Sequence, residues 1–245
     1  MIFYLGTHRP NHCKHFAHIF VSVNVLRRRK SDFEVNNWIL DSGSFTELSR
    51  FGEYVHSVEE YAGEINRWSK CGNLEMAVTQ DYMCEPFMLE RTGMCVREHQ
   101  ELTIERYDKL VKLTNVSIMP VLQGYEPKEY IEHIEMYGDR LTPNMRVGVG
   151  SVCKRNSNPQ SIVGVLSSIK RKADFRLHGF GVKTTSLSNL YVLSLLHSAD
   201  SMAWSYAARR NGGNANGLEE AQRFVGKIDE IQGTIPHQFA LGSYI

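Results

Sequence analysis

The stretch NWILDSGSFTELSRFGEYVHSVEEYAGEINRWSKCGNLEMAVTQD, residues 37–81, holds one full period of the pattern that sets the fold. It opens on NWILD (37–41), an apolar run closed by a carboxylate, and ends on LEMAVTQD (74–81), a second run closed the same way. Continuous apolar runs of this length suit strands buried on both faces. Between them Ser57-Val58-Glu59-Glu60 has the form of a capping box. Tyr61, Ile65 and Trp68 follow it on one helical face.

The same alternation extends outward in both directions. Further candidate strands are IFYL (2–5), IFVSVN (19–24), SIMPVLQ (117–123), RVGVGS (146–151), FRLHGFGV (175–182) and ADSMAW (199–204). Helical periodicity runs from Val96 to Leu113, with Leu102, Tyr107 and Leu110 on its apolar face. Pro127 and Pro159 each open a helix as first-turn prolines, Leu187 to Leu196 is nearly all apolar, and Leu218 to Ile231 is amphipathic. Repeated strand–helix alternation means a parallel sheet covered by helices, either open and doubly wound or closed as a (β/α)8 barrel. No GxGxxG or GxxxxGK[ST] follows an early strand. A length of 245 residues matches a barrel with few insertions. The expected class is therefore α/β, a minimal TIM-like barrel spanning residues 1–245 as a single domain. Either IFYL or IFVSVN serves as its first strand, and the tail IPHQFALGSYI (235–245) is a candidate for its last.

Composition narrows the function. With 28 Lys+Arg against 27 Asp+Glu the formal net charge is +1, so there is no global basic excess of the kind that marks dedicated nucleic-acid binders. Cys13, Cys71, Cys84, Cys95 and Cys153 are odd in number and widely spaced, which excludes CxxC metal knuckles and redox pairs. Free thiols in a reducing cytoplasm are expected. The first apolar run stops at Leu5, and no run approaches the roughly 18 apolar residues of a membrane span. His8, His12, His15 and His18 crowd the N-terminus, the last three at spacings that a helix would align. Without an acidic partner they are not read as a metal site.

In a parallel barrel the chemistry sits where the apolar runs end. Those ends carry Asp41, leading into Ser42 and Gly43; Asp81; Gln123 ahead of Gly124; Gly148, Val149 and Gly150; Lys183; and Asp200. Each aspartate alone also reads as a helix cap. Together, carboxylates, an amide and glycine-exposed backbone suit a planar, hydrogen-bond-rich ligand such as a purine. A carboxylate accepts from a guanine-type N1–H and exocyclic amine, and an amide donates to O6. The other carboxylates can then act at a glycosidic carbon, one as nucleophile and one as general acid/base.

These segments, in this order, resemble the tRNA-guanine transglycosylase superfamily, and most of all its compact DNA-directed branch, the DpdA-type deazaguanine transglycosylases of phages and bacterial modification clusters. The resemblance rests on Asp41-Ser42-Gly43-Ser44-Phe45, on Asp81, on Val121-Leu122-Gln123-Gly124, on Val147-Gly148-Val149-Gly150, on HGFGVK (178–183), and on Asp200 with Arg209 and Arg210 beyond it. It covers residues 41 to about 217. It implies that Asp200 is the nucleophile and Asp41 the acid/base, with Asp81, Gln123, Ser42 and the backbone of Gly148, Val149 and Gly150 holding the base. It also implies exchange of guanine in DNA for a 7-deazaguanine such as 7-cyano-7-deazaguanine, through a covalent aspartyl-glycosyl intermediate. No metal or other cofactor is implied. The chain departs from the tRNA enzymes in lacking the CxCxxC…H zinc subdomain, and Trp204 stands where a proline is usual. DNA is expected over tRNA on compactness and on that missing subdomain.

Phosphate contacts are expected from Arg209, Arg210 and Lys183. Two further basic runs, Arg27 to Lys30 and Lys170 to Arg176, read equally well as solvated charge. The segment 206–217 is a candidate lid, and Trp204 either stacks on a base or fills the barrel. The expected location is cytoplasmic, that of the host if the chain is phage-encoded, with accessory modification proteins as possible partners. A tRNA transglycosylase, a hydrolytic guanine glycosylase and a non-catalytic nucleic-acid-binding barrel remain open as alternatives.

Overall fold

The computed structural model describes residues 1–234. Its strand segments are β1 (Ile2–Gly6), β2 (His18–Ser22), β3 (Asn37–Asp41), β4 (Asn73–Val78), β5 (Ile118–Met119), β6 (Val121–Leu122), β7 (Arg146–Val149), β8 (Arg176–Gly179) and β9 (Ser198–Ser201). All pair in parallel, in the order β5-β4-β3-β2-β1-β9-β8-β7-β6.

The two ends of that order are halves of one strand. Pro120 separates β5 from β6 and, having no N–H, interrupts the ladder without ending the strand. On one side the carbonyls of Ser117 and Met119 accept from Ala77 and Thr79. On the other, those of Pro120 and Leu122 accept from Gly148 and Gly150, all at 2.9–3.1 Å. The segment therefore has a neighbour on each side, and the sheet closes on itself as an eight-stranded TIM-like barrel.

The helices are α1 (Val23–Leu26), α2 (Ser44–Phe51), α3 (Val58–Trp68), α4 (Pro86–Thr92), α5 (Val96–Leu113), α6 (Pro127–Tyr137), α7 (Pro159–Lys172), α8 (Thr184–Leu187), α9 (Leu190–Leu195), α10 (Ala203–Arg210) and α11 (Leu218–Gly233). Ser57 caps α3 in the expected box: its hydroxyl accepts from Glu60 N at 3.1 Å, and Glu60 Oε2 accepts from Ser57 N at 2.8 Å. Pro127 and Pro159 occupy first-turn positions.

Several expectations need correction. IFYL and IFVSVN are both barrel strands, paired side by side, and β9 is the last strand among the described residues. The tail 235–245 lies outside the described residues. The apolar run Leu187 to Leu196 is not one helix, because Asn189 caps a new one by accepting from Tyr191 N and Val192 N. His12 and His15 lie in a 3-10 turn while His18 begins β2, so no helix aligns them. Five of the strands end two or three residues before their apolar runs do, β2 at Ser22, β4 at Val78, β7 at Val149, β8 at Gly179 and β9 at Ser201, whereas β3 ends with its run at Asp41.

Two apolar layers hold the barrel. Tyr4, Phe20, Ile39, Val78, Met119 and Val121 fill its interior. Their strand neighbours, such as Leu5, Trp38, Leu40, Ala77, Leu122, Val149 and Leu177, face the surrounding helices. Among the described residues no helix is long and apolar enough to cross a membrane.

Candidate active site

Strand periodicity selects the side chains that enter the barrel. Residues two apart share a face, so the inward layer Ile39, Val121, Gly148 and Ser198 places Asp41, Gln123, Gly150 and Asp200 directly above it. Asp81 joins them from the turn after β4. These groups line a cavity of about 210 Å³ at the C-terminal end of the barrel, walled by Phe20, Phe45 and Phe180.

Asp41 accepts from Gly43 N–H at 3.1 Å, which the left-handed Gly43 (φ 77°) turns back toward the carboxylate, and from the Ser22 hydroxyl. Burial raises its pKa to about 7, helped by the negative charges of Asp200 and Asp81. Asp81 is likewise pushed up to about 6 by burial, although hydrogen bonds from Ser44 Oγ (2.8 Å) and Gln123 Nε2 oppose the rise. Gln123 is fully buried, and its Oε1 accepts from Ser151 Oγ at 2.9 Å. Asp200, almost wholly buried, accepts at Oδ1 from Gly181 N–H at 3.1 Å.

The remaining expected residues are placed less centrally. Gly150 reaches the cavity, but its N–H bonds Leu122 O at 2.9 Å and its carbonyl accepts from Tyr130 OH at 2.8 Å. Gly148 and Val149 lie below it within the β6–β7–β8 ladder. Ser42 is buried against Ser44 at 2.6 Å, and Ser44 is the serine that touches Asp81. Lys183, Arg209 and Arg210 are exposed; Lys183 precedes α8, and the arginines end α10. The first part of the candidate lid, 206–210, is the end of α10, so only 211–217 forms a loop. Its Asn216 meets His8 at 2.5 Å beyond the end of β1. Trp204 is a filler: its Nε1 donates to Gly6 O at 2.8 Å, and it does not line the cavity.

The structure adds groups that motif reading passed over. His178, fully buried inside the barrel, puts Nε2 3.4 Å from Asp200 Oδ1. Glu85 lines the cavity, almost wholly buried, with Ser151 Oγ at 3.1 Å and Cys153 Sγ at 3.8 Å. Burial and the Glu85 charge push the Cys153 thiol up to about 12, which removes it as a nucleophile at neutral pH. Inward strand parity pointed to His178; Glu85, in a turn ahead of Pro86, had no local signal.

The basic runs lie elsewhere. Arg27 is held by Asn24 Oδ1 at 3.2 Å and Glu47 at 3.6 Å, and Arg29 bonds the carbonyls of Ser31 and Asp32. Lys170 and Lys172 pair with Asp174 and Glu135 at the end of α7, the end that leads into the start of β8 and so lies opposite the cavity. Among the described residues no three His, Cys, Asp or Glu side chains converge as metal ligands.

A comparison with curated proteins returns no match. The model of the DpdA family, described as DeoxyPurine in DNA protein A, matches residues 1–220. This match spans every strand of the barrel and every carboxylate of the cavity, and the chain therefore belongs to the DpdA family, which implies a transglycosylase acting on guanine in DNA.

Proposed function

We propose that the chain exchanges guanine in DNA for a 7-deazaguanine by a two-step, ping-pong route. One observation carries the reading: Asp41, with its pKa raised to about 7, and Asp200 line the same small cavity as the Asp81–Gln123 pair. An acid poised near neutrality can both give and take a proton, as an exchange reaction requires.

In the first step a carboxylate oxygen of Asp200 attacks C1′ of the target deoxyguanosine. The C1′–N9 bond breaks, its electron pair goes to the base, and Asp41 delivers a proton to the departing guanine. In the second step Asp41 takes the N9 proton of the incoming 7-deazaguanine. N9 attacks C1′, and the C1′–O bond breaks, returning its electron pair to Asp200. Asp81 accepts from the N1–H and exocyclic amine of either base, and Gln123 reads O6. Ser42 supports Ser44 beneath Asp81, the backbone of Gly150 lines the cavity, and Gly148 and Val149 hold it in place from within β7. The incoming base differs from guanine at position 7, so the same edge contacts serve both.

A base stacked in duplex DNA cannot present C1′ to so enclosed a carboxylate, which requires extrusion of the nucleotide. Arg209, Arg210 and Lys183 supply phosphate contacts.

The test is mass spectrometry of nucleosides from DNA and tRNA of cells that make 7-cyano-7-deazaguanine and express this chain. Deazaguanine in DNA is expected, and none with Asp200→Ala. Modification confined to tRNA would overturn the DNA assignment, abasic sites without incorporation would show a hydrolase, and an active Asp200→Ala chain would remove the nucleophile.

A further inference from the structure

His178 lies under Asp200, in a place where only one arrangement of its ring hydrogen satisfies its neighbours. It projects from β8 into the barrel interior, its backbone paired with Ser198 of β9, two residues before Asp200. Phe20 stacks on the imidazole at 5.6 Å and 17°, Phe180 meets it edge-on at 4.9 Å, and Tyr4 at 6.0 Å. Within these aromatic walls the ring has two polar neighbours. Nδ1 lies 2.9 Å from Ser198 Oγ, and Nε2, fully buried and without a hydrogen-bond partner by strict geometry, faces Asp200 Oδ1 at 3.4 Å. Among the described residues Ser198, itself fully buried, makes no other side-chain hydrogen bond, so the arrangement that satisfies both groups has its hydroxyl donating to Nδ1. The ring hydrogen is then on Nε2, aimed at Asp200. A 3.4 Å approach is long, as catalytic hydrogen bonds often are before the substrate tightens them.

We propose that His178 is a positioning residue that, with Gly181 N–H, holds Oδ1 of Asp200 and leaves Oδ2 as the attacking oxygen. The proposal rests on the reading of Asp200 as nucleophile. Once Oδ2 has bonded C1′, Oδ1 is the carbonyl oxygen of the glycosyl ester. When the incoming N9 attacks C1′, the electron pair of the C1′–Oδ2 bond returns to the carboxylate, and charge regrows on Oδ1 against two N–H donors. His178 therefore favours release of the sugar from the enzyme over its capture. A loss of the donor slows the second step more than the first.

The experiment compares His178→Phe, which keeps an aromatic ring but no donor, with His178→Gln, which restores an N–H near the place of Nε2. Exchange of labelled 7-cyano-7-deazaguanine into duplex DNA is read beside the fraction of enzyme trapped as a covalent DNA adduct. In His178→Phe exchange falls by about 10²-fold, the size seen when a preorganised donor is removed, while the adduct fraction rises. His178→Gln recovers exchange to within about tenfold and returns the adduct fraction toward the parent level. Rate and adduct falling together in both variants, or two variants that behave alike, would overturn the role. Should either variant fail to fold, ¹⁵N spectra of the parent chain decide: a hydrogen on Nε2 of His178 supports the assignment, and one on Nδ1 alone overturns it. Failure of the transglycosylase reading shows separately, as a parent chain without exchange or an Asp200→Ala chain that retains it.

Discussion

Asp41 trades stability for a proton it can exchange near neutral pH. In the unfolded chain it ionises near 3.8, in the fold only near 7. Between those values the native state binds the extra proton. This group's favourable share of stability is thus fully present below about 3.8 and is lost as pH rises through about 7, a few kcal/mol at about 1.4 kcal/mol per pH unit. Asp81, raised to about 6, acts in the same direction. An Asp41→Asn chain cannot ionise there. Thermal melts are expected to show it more stable than the parent near pH 8 and nearly equal near pH 4, while its exchange rate drops by about 10²–10⁴-fold. A variant whose stability follows the parent's pH dependence would mean that the carboxyl is ionised in the fold at low pH.

At the scale of elements, the cavity depends on how closely β7 approaches β8. A Cβ on Gly148 would lie 2.5 Å from Phe180 Cε2 and Cζ, and the Phe180 ring both walls the cavity and packs against His178. Gly148→Ala is therefore expected to cost about 1–3 kcal/mol in denaturant unfolding and to slow exchange, since the ring must move toward the reacting groups. The contrast is Ser57→Ala on α3. Losing that cap costs about 1 kcal/mol and leaves exchange unchanged, because the capping box faces solvent on the outer layer. Unchanged stability and activity in Gly148→Ala would show that Phe180 shifts freely and does not shape the site.

For the whole molecule, the near-zero net charge conceals an uneven use of cations. Arg27, Arg29, Lys170 and Lys172 are engaged by carboxylates or loop carbonyls, whereas Arg209 and Arg210 are exposed on the helix that leaves β9, the strand of Asp200. Duplex binding is expected to weaken with salt. Replacing Arg209 and Arg210 together by alanine should lower the slope of log affinity against log salt by about two, close to one counterion per phosphate contact. Replacing Lys170 and Lys172 should leave the slope unchanged, because α7 ends on the opposite side of the barrel. Titrations of labelled duplex at several salt concentrations separate the two cases.

The parallel β/α order, the helix starts at Ser57, Pro127 and Pro159, and the polar residues that close the strands are legible in the order of residues alone. All are consequences of local periodicity and turn chemistry, which act over a few neighbouring residues. From these, Asp41, Asp81, Gln123 and Asp200 were legible as one group once a barrel was assumed. Three-dimensional packing was needed to show that the ring closes through Pro120, since one strand's two partners lie far away in the chain. It also decided that Gly150 has both backbone groups bonded and that Ser44, not Ser42, touches Asp81. The basic runs turned out to be engaged or remote from the cavity for the same reason. Glu85 reaches the cavity, and His178 reaches Asp200 from below, among residues distant in sequence, and the proton affinity of Asp41 is set first by burial and then by the Asp200 and Asp81 carboxylates. Charge and desolvation act through space, and the order of residues along a chain does not contain the distances on which they depend.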